Sequence, residues 1–159
     1  MSLRSARDAL AAADGLEVLA ASSVYETEPQ GEITDQPDFL NASLAVETEL
    51  SAEALLDTCK TLERGLGRCE AAPRHGPRPI DVDLLLIERL EYRSERLVVP
   101  HPELIHRRFE LVPLLELDPE LRTPDGAPLA NALAALGEGQ RVVYAGPPLG
   151  VAGRRDEGG

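Results

Sequence analysis

Residues 80–87, IDVDLLLI, place two carboxylates one residue apart in a run otherwise built from strand-forming, water-avoiding side chains. Successive side chains of a strand alternate faces, so Asp81 and Asp83 project together, with Leu85 and Ile87 continuing their face. Ile80, Val82, Leu84 and Leu86 turn to the opposite, core face. Two like charges in such a run need compensation for the hydration they lose. Three arrangements supply it: a metal ion, an arginine partner, or a turn that keeps both carboxylates in water.

The rest of the chain limits what can surround this run. Its 159 residues suffice for one hydrophobic core without disulfides or a structural metal. The expected organisation is a single domain over residues 1–145, followed by a disordered tail over 146–159. No apolar run approaches the ~18 residues of a membrane span, and MSLRSARDAL lacks the apolar stretch of a secretory signal. The two cysteines, Cys59 and Cys69, are too few for a disulfide framework. A cytoplasmic monomer with free thiols is expected. The net charge of −12 argues against a nucleic-acid partner, because phosphate contacts need a basic surface. The charge is unevenly spread, however. Of 15 arginines, nine fall within residues 64–108, around the two aspartates. Arginines gathered around carboxylates suit a small anion handled with a metal, and equally a set of surface ion pairs.

Periodicity predicts a helix over residues 3–13, with Gly15 as its C-cap. Residues 16–28 and 39–50 read as two strands. In the second, Phe39, Asn41, Ser43, Ala45 and Glu47 share one face. The connection between them is long and rich in Pro, Gly and Asp, the kind of loop that carries function. Ser51 is a suitable N-cap for the next helix, whose buried stripe is Leu55, Cys59, Leu62 and Leu66, with Gly67 ending it. An Arg/Pro/Gly-rich loop leads into the 80–87 strand. Residues 88–100 read as a turn and a further strand, and residues 103–117 as helix. The resulting order, α-β-β-α-β-β-α, favours an α+β sandwich with an antiparallel sheet.

Hard divalent ions take oxygen ligands and complete their shells with water and phosphates, so the aspartate pair is a natural seat for a metal-bound polyphosphate. Arg74, His75 and Arg78 lie just upstream, and Arg96, His101 and Arg107 downstream; arginine forks match phosphate oxygens. No P-loop is present, and Lys60 is the only lysine. There is no G-x-S-x-G either, and His101 and His106 are five apart, which puts them on different helix faces.

Four segments together, DQPDFLNASLAVET, GPRPIDVDLLLI, LVVPHPELIHRRFELVPLLEL and the later PDG, resemble the 6-hydroxymethyl-7,8-dihydropterin pyrophosphokinases of folate biosynthesis, from about residue 3 to Gly126. The resemblance implies a ferredoxin-like α+β fold. It implies transfer of a pyrophosphoryl group from ATP to the pterin hydroxymethyl group, releasing AMP, with two Mg²⁺ ions held by Asp81 and Asp83. Asn41 would read the pterin edge, Phe39 and Phe109 would sandwich its ring, and Thr27 would contribute from the first strand. Arg68 and Arg78 would assist at the transferring phosphates. Glu63, Arg74, Arg78, Arg96, His101 and Arg107 would contact ATP. The chain departs from the family in beginning at the helix after the usual first strand and its Gly-Ser-Asn loop. It departs also in Glu70, His75, Glu28, Gln30 and Pro102, where other residue types are usual. Two other functions are consistent with the same residues: an impaired relative that binds nucleotide or pterin without turnover, and a ferredoxin-like small-molecule-binding module.

Overall fold

The structure, a computed structural model, describes residues 3–27, 39–68, 80–88, 90–137 and 139–150, except for the side chains of Phe39, Gly67 and Arg68. Helix α1 (Leu3–Ala12) buries Ala6, Arg7 and Leu10, residues three and four apart on one face. The chain reverses at Gly15, whose φ of +87° favours glycine and where an added Cβ would come 2.9 Å from the Leu50 side chain.

The two expected strands form, and each is broken once. Strand β1 (Leu16–Ala21) gives way to β2 (Val24–Thr27) at Ser22 and Ser23, and β3 (Phe39–Asn41) to β4 (Leu44–Thr48) at Ala42 and Ser43. Strand β1 pairs antiparallel with β4, Leu16 opposite Thr48, and β2 with β3, Tyr25 opposite Asn41. At the break, the Ser22 amide donates to the Ser43 carbonyl at 2.9 Å, while the Ser43 amide donates to the Ser22 hydroxyl at 2.9 Å. A fully buried hydroxyl stands in for a backbone acceptor. The ribbon can therefore fold into two sheets with both buried amides satisfied.

Helix α2 (Ala52–Arg68) starts as expected, with the Ser51 hydroxyl accepting from the Ala54 amide at 3.1 Å. It runs one residue past Gly67. Leu55 and Cys59 are buried on its inner face, and Leu62 and Leu66 are partly buried. Beyond the 80–88 segment, β5 (Tyr92–Arg93) and β6 (Val98–Val99) make a short hairpin. The expected helix over 103–117 is a 3-10 turn (Leu104–His106) followed, after Arg107, by α3 (Arg108–Leu117). Two further elements complete the described fold. Helix α4 (Leu129–Leu136) packs on α3, and β7 (Val142–Gly146) pairs antiparallel with β2. The fold is α+β with antiparallel sheets. Of the tail expected to be disordered from residue 146, Leu149 and Gly150 lie against α1, their carbonyls accepting from the buried Arg7 guanidinium.

One expectation is corrected. Residues 80–87 join no ladder. Between this segment and β4 lies an open cavity of about 900 Å³, lined by Leu44 and Val46 of β4, Leu55 and Cys59 of α2, and residues 80–88. A strand needs a neighbour at about 4.8 Å to hydrogen-bond, and among the described residues none stands there. The segment's apolar side chains pack in two directions instead. Leu84 and Ile87 pack on a core cluster of Ala52, Leu56, Leu97 and Val99. Leu85 and Leu86 pack on a second cluster of Leu104, Leu111, Leu114 and Leu129. The alternation predicted for a strand thus fails after Leu84, because the segment serves two cores.

Candidate active site

The outer half of the segment keeps its alternation: Asp81 and Asp83 are exposed on one face, with Val82 partly buried between them. Two bonds fix this stretch. The Val82 amide, on the peptide chain between the two carboxylates, donates to Glu63 Oε2 of α2 at 2.6 Å. The His101 amide donates to the Leu85 carbonyl at 2.9 Å. Glu63 also lies 3.5 Å from Lys60. The carboxylate pair is therefore carried between α2 and the turn that precedes α3. Cys59 lies under it. Burial, with the nearby Glu63 and Asp83 charges, pushes its thiol up to about 11, so it stays protonated and packs as a core residue.

The turn after β6 delivers the basic side. His101 Nδ1 accepts from the Glu103 amide at 3.1 Å, which leaves Nε2 as its other polar atom. Arg107, the residue before α3, sets its guanidinium carbon 5.6 Å from the centroid of the Phe109 ring and donates from Nη1 to Glu110 Oε2 at 3.0 Å. Cation–π contact and a buried carboxylate together hold the guanidinium. Burial raises the Glu110 carboxyl; Arg107 and His101 oppose that rise and Asp83 adds to it.

The other side of the site rests on β2 and β3. Asn41 Nδ2 donates to the buried Thr27 hydroxyl at 2.9 Å, joining two of the residues implied for the pterin. Thr27 pairs with Phe39 in the ladder, so Phe39, Thr27 and Asn41 share the β2–β3 ribbon. Helix α3, which carries Phe109 in its first turn, packs against both strands. The tether is Glu116 near the end of α3, whose carboxylate accepts from the Ser23 amide at 3.0 Å, the Ser23 hydroxyl at 2.9 Å and the Tyr25 hydroxyl at 2.7 Å.

A family model described as 7,8-dihydro-6-hydroxymethylpterin-pyrophosphokinase matches residues 1–119. The chain belongs to that family. Among curated relatives, a 2-amino-4-hydroxy-6-hydroxymethyldihydropteridine pyrophosphokinase of Methylorubrum extorquens is 45% identical over 134 residues, covering 84% of this chain and 83% of the relative. The Folic acid synthesis protein fol1 of Schizosaccharomyces pombe is 44% identical over 124 residues, 77% of this chain and 17% of that longer protein. A pyrophosphokinase of Bacillus subtilis is 42% identical over 100 residues, 63% of this chain and 59% of the relative.

Within the pyrophosphokinase fold, the implied site residues are distributed as follows. Asp81 and Asp83 stand on the 80–88 segment, and Glu63 and His101 bond to it. Thr27 and Asn41 lie on β2 and β3, and Arg107 lies against Phe109 on α3, which packs on those strands. Arg96 stands apart: its guanidinium donates to Glu53 at 2.8 Å and to Asp57, both on α2. The bond to Asp57 comes first among the causes that raise its already high pKa. Arg74, Arg78, Cys69 and the loop from residue 28 to 38 lie outside the described residues, as do the side chains of Arg68 and Phe39. Glu110 and Glu116 were missed from sequence. A signal for Glu110 existed, since it is the one acid in the otherwise apolar FELVPLL run.

The donors suit a hard divalent cation. Two carboxylates share an exposed face, and the described residues hold no cluster of three or more His, Cys, Asp or Glu able to bind a metal alone. Such a half-built shell fits Mg²⁺, which keeps water and phosphate oxygens as its remaining ligands. No helix among the described residues is long and apolar enough to cross a membrane.

Proposed function

We propose that this chain transfers the pyrophosphoryl group of ATP to the hydroxymethyl group of 6-hydroxymethyl-7,8-dihydropterin, giving the pterin diphosphate and AMP, in tetrahydrofolate biosynthesis. The observation that carries this reading is the family match together with Asp81 and Asp83 on one exposed face beside the His101–Arg107 turn. The pterin hydroxyl oxygen attacks the β-phosphorus; its bond to that phosphorus forms as the bond from the bridging oxygen to the same phosphorus breaks. AMP leaves with the bridging oxygen, and the hydroxyl proton passes to water.

Positioning and charge neutralisation supply most of the rate in such transfers. Asp81 and Asp83 would hold two Mg²⁺ ions, which when bound neutralise the phosphate oxygens and orient them. The Glu63 bond to the Val82 amide fixes the backbone on which both carboxylates stand. Arg107 and His101 bind phosphate oxygens or the nucleotide from the opposite side, joined by Arg68, Arg74 and Arg78. Arg96 reaches ATP by exchanging its α2 carboxylates for phosphate. Asn41, its amide already oriented by Thr27, reads the hydrogen-bonding edge of the pterin, and Phe39 and Phe109 stack on its faces. Soluble ATP and pterin are the partners, and the chain acts as a cytoplasmic monomer.

The test is AMP release with Mg²⁺ and the pterin alcohol. AMP formation should require the pterin, and Asp81→Ala or Asp83→Ala should lower it by about 10³-fold, the several kcal/mol that a lost metal ligand removes from the transition state. ADP in place of AMP, or AMP formed equally without pterin, would overturn the assignment.

A further inference from the structure

Among the described residues, one buried side-chain polar atom has no hydrogen-bond partner: Oε1 of Glu110. The residue is 7% exposed on the inner face of α3, next to Leu111, which is fully buried. A carboxylate there adds little to stability, since a buried ion pair seldom outperforms an apolar side chain of similar size. Half of this carboxylate is moreover unsatisfied, which is costly in itself. What the position does achieve is geometric. Glu110 Oε2 grips Nη1 of Arg107 at 3.0 Å, and the same guanidinium lies 5.6 Å from the centre of the Phe109 ring.

We infer that Glu110 is a positioning residue that sets the Arg107 guanidinium against the Phe109 face, so that the nucleotide-side cation and the pterin-side ring form one unit. This rests on the pyrophosphokinase reading of the site. Glu110 takes one of the five N–H donors of the guanidinium and leaves the others for phosphate oxygens. Arg107 remains 34% exposed, so those donors can reach a ligand. An arginine already held in place has less side-chain freedom to lose when ATP binds, an advantage of roughly ten-fold in affinity for a long, rotamer-rich side chain.

The experiment compares Glu110→Leu and Glu110→Gln with the unaltered chain, each alone and in an Arg107→Met background, reading KM for ATP, KM for pterin, kcat and the melting temperature. Glu110→Leu should raise KM for ATP about ten-fold, leave kcat nearly unchanged and not lower the melting temperature. Glu110→Gln keeps an acceptor oxygen and should give roughly a third of that effect on KM. In the Arg107→Met background neither substitution should change KM for ATP further. An unchanged KM for ATP, or an equal rise with and without Arg107, would overturn the inference. A lowered melting temperature with both KM values unchanged would do the same, since it marks a merely structural role. If Glu110→Leu does not fold, the isosteric Gln variant decides the question alone. Absence of pterin-dependent AMP from the unaltered chain would count against the proposed function instead; calorimetric MgATP binding by the same variants would then decide the positioning role.

Discussion

The Glu116 carboxylate is the sharpest place to test how β2 is held to α3. It receives three donors, two from Ser23 and one from Tyr25, and Ser23 is itself buried. Charge-assisted hydrogen bonds contribute about 1.5–3 kcal/mol each when shielded. Glu116 is exposed, so solvent screening reduces each to about 0.5–1 kcal/mol. Glu116→Ala, which strands the Ser23 amide, should therefore cost about 2 kcal/mol, or about 4–8 °C in melting temperature for a chain of this size. Glu116→Gln keeps one acceptor and should cost about half as much. The pH dependence has a definite sign. Burial alone would raise the Glu116 carboxyl, but the bonds from Tyr25 and Ser23 outweigh it and hold the group below its ordinary 4.5. A depressed carboxyl stabilises the fold above the ordinary value, and that stability is lost as pH falls through the folded one. Burial, and then the Glu116 bond, push the Tyr25 phenol up to about 12. A raised phenol stabilises below 10, and the contribution is lost as pH rises towards 12. Urea unfolding from about pH 6 down to about pH 2 reads the acid limb, which should flatten in Glu116→Gln. Because the tether sets β2 against the helix that carries Phe109, Glu116→Ala should also raise KM for pterin more than KM for ATP. A melting temperature within about 1 °C of the parent, or an acid limb unchanged in the Gln variant, would refute the argument.

Leu111, fully buried in the cluster with Leu104, Leu114 and Leu129, should cost about 3–4 kcal/mol on substitution to alanine; chemical denaturation measures it, and a loss below about 1 kcal/mol would mean that the cluster collapses around the cavity. Cys59, its thiol pushed up to about 11, should resist iodoacetamide in the native chain at pH 8 and react after unfolding; rapid native labelling would show that α2 opens. Amide exchange should be far faster at Leu84 and Leu86, which no ladder holds, than at Val18 and Val46 in the β1–β4 pair. Equal protection would mean that a backbone partner closes the cavity beside them. The Val82 amide, bonded to Glu63, should lose protection in Glu63→Leu and retain it largely in Glu63→Gln.

What could be read from sequence was what depends on near neighbours. Asp81 and Asp83 share an exposed face because a two-residue alternation fixes it locally, whatever lies beside the segment. Ser51 caps α2, and Leu55 and Cys59 are buried, because caps and helical spacing are local too. Whether residues 80–87 form a strand depends on a neighbour at hydrogen-bonding distance, and no pattern within IDVDLLLI contains that neighbour. The breaks at Ser22 and Ser43 were hidden for a related reason: a hydroxyl standing in for a carbonyl leaves the apolar pattern on either side intact. Helix α4 was legible and was missed. The run LANALAAL is bracketed by Pro128 and by Gly137 at φ +66°, the start and stop signals of a short helix.

The arginines separate what charge counting can and cannot decide. Arg96 and Arg107 read alike in sequence, each a basic residue downstream of the aspartates. In the structure Arg96 spans Glu53 and Asp57 on the exposed side of α2, and Arg107 is fastened by a buried acid and an aromatic face. The difference lies in the partners, which come from 43, 39, 3 and 2 positions away. For Arg107 both partners are local, and its setting could be read from RRFE as a helix-start cluster. For Arg96 both are distant, and its two ion pairs are solvent-screened. Exchanging them for phosphate oxygens in a bound nucleotide would therefore cost little. On the proposed function, Arg107 would be set before the ligand arrives, and Arg96 would be free to be recruited by it.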